Sequence, residues 1–411
     1  MPRIKPFNGI RPNPRYAGKV VLDIENLSLQ EAKIIRQENP YSYANMLVPK
    51  LDNLFLRGSK NELAFKKINE NFDDFLDKEV LVRDTKPSIY VYRISDSEKS
   101  QTGIWTVTHV DDYLNDRIKK HELTRPEREV VLTDYLQQTG IDANPVLITY
   151  EPDRRINNFI EKVCKTTSCL SYEKNKYRHE LWKVEDEQDI AILSRAFETI
   201  STAYIADGHH RAAAAARLSI NQRQLQNRYN GDEEFNYFSS VYMASDQLRI
   251  YPFHRLVKDL NGYTVSMFLK RLSCDFVVQK SEKSVMPSEL HDFGMYLDGI
   301  WYHLRAHEEL YLGGGAVSEL DVSILQDYVL SPLLHIDDPR TDKRLVFSGG
   351  ILTADDLVKQ VTENDYAVLF TLFPTSTDQL MKIADMGEVM LPKSTWFEPK
   401  FQAGLLVHRI G

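Results

Sequence analysis

Residues 205–218, Ile-Ala-Asp-Gly-His-His-Arg followed by five alanines, Arg and Leu, are the stretch of this 411-residue chain most informative about chemistry. A strand ending near Ala206 and a turn at Asp207 and Gly208 predict a helix that opens on His209, His210 and Arg211. The first N–H groups of a helix have no intrahelical partner and lie at the positive end of its dipole, so that end attracts anions. Arg211 and the histidines add donors there, and Gly208 allows a ligand close to the backbone. The pattern therefore reads as a phosphate-binding strand–turn–helix using Gly208, His209, His210 and Arg211. The plainer alternative is a helix start with Asp207 as its N-cap. That alternative has no use for two histidines and an arginine in one turn. Neighbouring helical residues point about 100° apart, which disfavours a metal shared by both histidines.

Two other stretches carry functional groups. Lys119-Lys120-His121-Glu122-Leu123-Thr124-Arg125 sets a carboxylate beside cationic groups just before a helix. Glu122 can act as a general base if it reaches a substrate hydroxyl; otherwise this is a charged, solvated helix entry. Residues 390–400, with Lys393, Ser394, Thr395, Trp396 and Phe397, read either as a loop for a small polar ligand or as a tail docked by its aromatics. No GxSxG, HExxH or GxGxxG motif occurs, and Gly313-Gly314-Gly315 lacks the Gly-Lys-Ser/Thr that a P-loop requires.

The elements that must hold these groups follow from periodicity and punctuation. Residues 1–20 read as an extended arm. Ser28 with Glu31 signs a capping box for a helix ending at Asn39-Pro40, and 61–78 has helical apolar spacing. Strands are expected at 89–94, 103–110, 144–150, 202–206, 236–244, 248–251 and 366–373, with strand pairs over 168–183 and 291–305. A second capping box at Thr124 and Glu127, with Pro126 in the first turn, should open a helix closed by Gly140. Further helices are expected at 156–163, 186–200, 209–218, 319–334 and 376–386, with a polar stretch at 219–235. This alternation predicts a mixed α/β (α+β) fold.

Composition sets the frame. With 42% hydrophobic and 27% charged residues, the chain is neither disordered nor fibrous, and its length suits two or three lobes. A formal charge of −8 argues against a general nucleic-acid partner. Cys164, Cys169 and Cys274 form no framework and read as small core residues of a reduced, cytoplasmic protein. No signal peptide or membrane-length apolar run is apparent.

The chain resembles, along its whole length, a prokaryotic domain-of-unknown-function family marked by Asp-Gly-His-His-Arg. The likeness is carried by the Ile4-Lys5-Pro6-Phe7 arm, the 119–125 and 205–211 stretches, and residues 320–330, 338–344 and 392–400. The Asp-Gly-His-His-Arg turn is similar to that of the ParB/sulfiredoxin superfamily, and most like the free serine kinases within it. Their Lys-Pro-His-Glu stretch matches Lys119-Lys120-His121-Glu122, with Lys120 in place of proline, and their Pro-Lys-Thr-Thr matches Pro392 to Thr395. The resemblance implies an N-terminal arm and helical extension (1–85), a ParB/sulfiredoxin-like nucleotide-binding core (86–255) and a C-terminal α/β lobe with a substrate-side tail (256–411). It implies a kinase that phosphorylates a hydroxyl group, free L-serine above all, from ATP or ADP. Glu122 would be the base and Asp207 a second catalytic carboxylate holding Mg²⁺. His121, Lys393, Ser394 and Thr395 would bind substrate. Two alternatives share the motif: a ParB-like nucleotide-binding regulator, and a metal-dependent hydrolase using His121, Glu122 and His209. The implied partners are a nucleotide and a small hydroxyl-bearing metabolite, with no nucleic acid or membrane, and with a homo-oligomer left open.

Overall fold

A computed structural model of the chain describes residues 2–24, 27–47, 59–226, 230–398 and 400–410. Pro399, residues 227–229 of the expected polar stretch and residues 48–58 of the expected N-terminal extension lie outside the described residues. The chain divides into two compact units, one of residues 1–248 and 399–411 and one of residues 249–398. Both are mixed α/β.

The first unit is built on a 9-stranded sheet. Its strands are β1 (Ile4–Lys5), β2 (Ile89–Ser95), β3 (Ser100–His109), β4 (Ile118–Lys119), β5 (Val146–Tyr150), β6 (Leu170–Lys174), β7 (Tyr177–Val184), β8 (Ala203–Asp207) and β9 (Tyr237–Ala244). The order is β4-β8-β5-β9-β3-β2-β7-β6, with β1 paired to β3. The β4–β8 and β5–β9 pairs are parallel and the others antiparallel. Every residue of β5 and β9 is buried, as is β8 up to Ala206. Strands covered on both faces tend to carry continuous apolar runs, as β8 does up to Ala206, whereas β9 buries Ser239 and Ser240 within its run. On one face Ile148, Ile205 and Tyr242 pack with Phe197, Ala212, Ala215 and Ala216.

Two helices flank the site. Helix α1 (Pro126–Thr139) closes on Gly140 in the left-handed region, the conformation that glycine adopts most cheaply. Helix α2 (His209–Leu225) buries Ala212 through Ala216, and the Thr133 hydroxyl of α1 donates to the Ala214 carbonyl at 3.2 Å. Small side chains let these helices approach closely. The expected N-terminal elements form around a second core. The Ser28–Glu31 capping box is present, and Phe65, Ile68, Phe72 and Phe75 of the helix Ser59–Asp77 are buried with Ile10, Ile141 and Val407.

The second unit carries a 6-stranded antiparallel sheet. The hairpin of Asp292–Leu297 and Ile300–Ala306 turns at Asp298 and Gly299, and the helices include Val265–Leu272, Ala354–Glu363 and Thr377–Asp385. Among the described residues, no helix is long and apolar enough to cross a membrane.

Some expectations are corrected. The Thr124–Glu127 capping box does not form: Arg125 is the N-cap of α1, and the Thr124 hydroxyl bonds Glu129 instead. Helix α2 runs past residue 218 to Leu225, and its N-cap is Gly208 rather than Asp207. The 319–334 helix is Asp321–Leu325 followed by a π-turn over Gln326–Leu330. Cys164 and Cys169 are half-buried and Cys274 is exposed, so none is a fully buried core residue.

Candidate functional site

Strand β4 lies parallel to β8, with Ile118 opposite Ala203 and Lys119 opposite Tyr204. Both strands leave the sheet in the same direction. The segment after β4, Lys120 to Arg125, is therefore carried alongside the turn after β8, Asp207 to Arg211. Two stretches far apart in sequence share one sheet edge for this reason.

The turn is irregular at its start. Pairing of β8 with β5 shifts register between Ile205 and Asp207. Such a bulge re-aims the residues beyond it. The Asp207 carboxylate is bound by the Arg211 guanidinium and lies 3.5 Å from Lys400 Nζ. Burial works to raise the Asp207 pKa, but Lys400 and Arg211 outweigh it and hold the carboxyl well below the usual range. The rest of the Arg211 fork is also used, since Nη1 donates to Asn144 Oδ1 at 2.7 Å and to the Pro145 carbonyl. Arg211 is thus turned onto Asp207 and the start of β5. Gly208 has φ +99°, and a Cβ there would lie 2.8 Å from Arg211 Nε and 2.9 Å from Cζ. Glycine is needed for the backbone conformation and for the guanidinium that crosses it.

The two histidines face the other segment. His209 is buried, and its Nε2 accepts from the His121 backbone N–H at 3.5 Å. His209 Nδ1 is 3.8 Å from Glu122 Oε2. His210 Nε2 accepts from the Arg125 backbone N–H at 3.0 Å. The buried His121 ring meets the His209 ring edge-on, with centroids 4.5 Å apart. Burial pushes His121 down to about 4, against the opposing pull of Asp207 and the Ile205 backbone. His210 is also pushed to about 4, by burial and then by Arg128 and Arg125. His209 lies well below its ordinary value, through burial and the neighbouring His121. All three are neutral imidazoles at pH 7.

The fold thus gathers His121, Glu122, Asp207, Gly208, His209, His210 and Arg211 in the first unit. Lys393, Ser394 and Thr395 belong to the second. There Lys393 has φ +60°, its carbonyl accepts from Arg255 Nη2 at 3.2 Å, and its ammonium lies 4.8 Å from the Phe253 ring centroid. Ser394 is buried; its hydroxyl donates to the Leu391 carbonyl at 2.6 Å, and its own carbonyl accepts from Thr375. Sequence reasoning missed Lys400 as a site residue. The only signal was the density of functional groups over 390–400, which gave no reason to single out its last lysine.

Among the described residues, no three His, Cys, Asp or Glu side chains come together as a metal-binding group. Mg²⁺ is commonly held by one or two carboxylates plus substrate phosphates. One carboxylate already paired with two cations fits an ion delivered with phosphates, not one caged by protein alone.

A family model described as protein of unknown function (DUF1015) matches residues 4–323. No curated protein matches the chain. Similar solved structures include a conserved hypothetical protein from Pyrococcus furiosus, 14% identical at TM-score 0.37 over 73% of this chain and 95% of that one. A free serine kinase in complex with AMP is 13% identical at TM-score 0.37, covering 73% and 92%. SbnI with a C-terminal truncation, from Staphylococcus aureus, is 12% identical at TM-score 0.37, covering 73% and 87%. Likenesses this distant leave the chemistry to be argued from the side chains of the site.

Proposed function

The chain belongs to the family of proteins of unknown function DUF1015, and we propose that it is a nucleotide-dependent kinase of a small hydroxyl-bearing metabolite, with free L-serine converted to O-phosphoserine as the leading reaction. The observation that carries this reading is the meeting of a carboxylate with a helix start: Glu122 Oε2 lies 3.8 Å from His209 Nδ1. A phosphoryl-transfer site needs an anion cradle and a base facing it, and little covalent chemistry besides. The nucleotide would be ATP or ADP, and its binding core, of ParB/sulfiredoxin type, would lie in the first unit.

The mechanism follows from these positions. The terminal phosphates of the nucleotide rest at the start of α2, where Gly208 permits close approach and the first N–H groups, at His209 and His210, point outward. Glu122 accepts the proton of the acceptor hydroxyl as that oxygen attacks the terminal phosphorus. The bond to the bridging oxygen breaks, and the nucleotide leaves one phosphate shorter. Arg211 keeps Asp207 ionised and oriented, so a fixed charge pattern meets the redistributing negative charge. Asp207 would hold Mg²⁺ arriving with the phosphates, an ion that neutralises phosphate charge. His121 would line the acceptor side.

The test is phosphate transfer from ATP and from ADP to L-serine and to a panel of other hydroxyl compounds. Wild-type turnover that requires an acceptor, lost in Glu122→Gln and Asp207→Asn, is the expected result. Transfer that survives both substitutions would remove the assigned roles.

A further inference from the structure

We propose that His209 and His210 act as a two-point clamp on the segment that carries Glu122: each ring offers Nε2 to a backbone N–H and keeps its proton on Nδ1, so the pair are positioning residues rather than phosphate ligands. The inference rests on the kinase reading only in naming Glu122 as the base.

The hydrogen bonds decide the tautomers. A ring nitrogen that accepts a hydrogen bond carries a lone pair, and a neutral imidazole then holds its proton on the other nitrogen. His210 Nε2 accepts from the Arg125 N–H at 3.0 Å, and His209 Nε2 from the His121 N–H at 3.5 Å. Both rings therefore carry Nδ1–H. In His209 that proton faces Glu122 Oε2, 3.8 Å away. The two contacts grip the segment at residues 121 and 125, with Glu122 between them. Adjacent helical residues diverge by about 100°, so a doubled histidine can reach two separated points where a single one could reach only one. Neutrality is a condition of the clamp, because a protonated ring has no acceptor.

The clamp gives both histidines the same task. Each must accept a bond at the reach of Nε2. Glutamine, whose Oε1 reaches a similar distance, should do that partly, and alanine not at all. A ring that bound phosphate directly would behave differently, since its loss would fall on nucleotide affinity.

Two measurements test this on the full chain. The first is a ¹⁵N spectrum of histidine-labelled protein without nucleotide, assigned through the single variants His209→Asn and His210→Gln. Both rings should show a protonated Nδ1 and an unprotonated, hydrogen-bonded Nε2; Nε2–H forms would overturn the proposal. The second compares His210→Ala with His210→Gln. Misplacing a base by an ångström can cost about 10²-fold, so kcat should fall by about that factor in the alanine variant and recover largely in the glutamine variant. The nucleotide KM should stay within about threefold in both. Equal losses in the two variants with a raised nucleotide KM would overturn the clamp. If the wild-type chain transfers no phosphate to any acceptor, the kinase reading fails, while the ring tautomers still decide the clamp.

Discussion

At the scale of single residues, the site separates roles that one motif seemed to bundle. Asp207 is held ionised by Arg211 and Lys400, whereas the histidines beside it are neutral. Glu122, 3.8 Å from His209 Nδ1, is the proposed base. Replacing it with glutamine removes the base but keeps size and polarity. Glu122→Gln should lower kcat by about 10²- to 10⁴-fold, the usual worth of a positioned base, while nucleotide binding measured by calorimetry is unchanged. A matching loss of nucleotide affinity would place Glu122 in binding instead. Gly208 tests the cradle itself. With φ +99° and Arg211 atoms 2.8–2.9 Å from where a methyl group would stand, Gly208→Ala combines backbone strain with a clash. The strain alone costs about 1–2 kcal/mol. Urea unfolding should show at least that loss, together with weaker nucleotide binding as Arg211 is pushed from Asp207.

At the scale of elements, the site depends on two packings. The parallel β4–β8 pair sets the 120–125 segment beside the turn, and α1, which continues from that segment, packs on α2. Ala214 is fully buried where Thr133 meets its carbonyl. Ala214→Leu overpacks that contact, which usually costs about 1–3 kcal/mol. The expected outcome is a lower unfolding midpoint and reduced kcat, although no reactive group has been touched. Full activity in that variant would mean that the helices do not set the Glu122 position. Much of this was legible before the structure. β8 and α2 announce themselves through TAYIA (202–206), Gly208 and the alanine run, and the Pro126 and Gly140 punctuation bounds α1 to within a residue. What was not legible has physical causes. β4 is two residues long, too short for any periodicity, and its register is set by a strand 85 positions later. The Thr124 capping signature lost to a local alternative, the bond to Glu129 in the first turn of the same helix. Lys400 reaches Asp207 only because the tail folds back into the first unit, and no local pattern encodes that return.

At the scale of the whole first unit, the arm and the tail are both woven into the structure that supports the site. Arm residues Ile10–Pro12 pair with Leu81–Arg83, and tail residues His408–Arg409 pair with Ile141–Asp142, with a further bridge between Ile10 and Val407. Burying these elements also buries titratable groups, which gives the unit a definite response to acid. His121, His179 and His210 are pushed to about 4, His179 by burial and Lys174, and His209 falls well below its ordinary value. In the unfolded chain each would protonate near 6.5. Their stabilising contribution is therefore complete above that pH and is lost as pH falls toward 4, because the unfolded state binds more protons. Asp142 works the other way: burial lifts it to about 6 against His408, the Ser239 N–H and Arg211, so the folded state holds an extra proton below that pH. These depressed histidines outnumber Asp142, the more so because burial also lowers His109 in this unit and pushes His254 of the second unit to about 4, so the folded chain binds fewer protons than the unfolded one between pH 6 and 5, each worth roughly 1.4 kcal/mol per pH unit. The urea midpoint of the full chain should hardly change between pH 8 and 7, then drop steeply from pH 6 to 5. In Asp142→Asn the opposing group is gone, so the drop should be steeper. A midpoint that stays level down to pH 5 would show that these histidines do not hold depressed values in the folded chain.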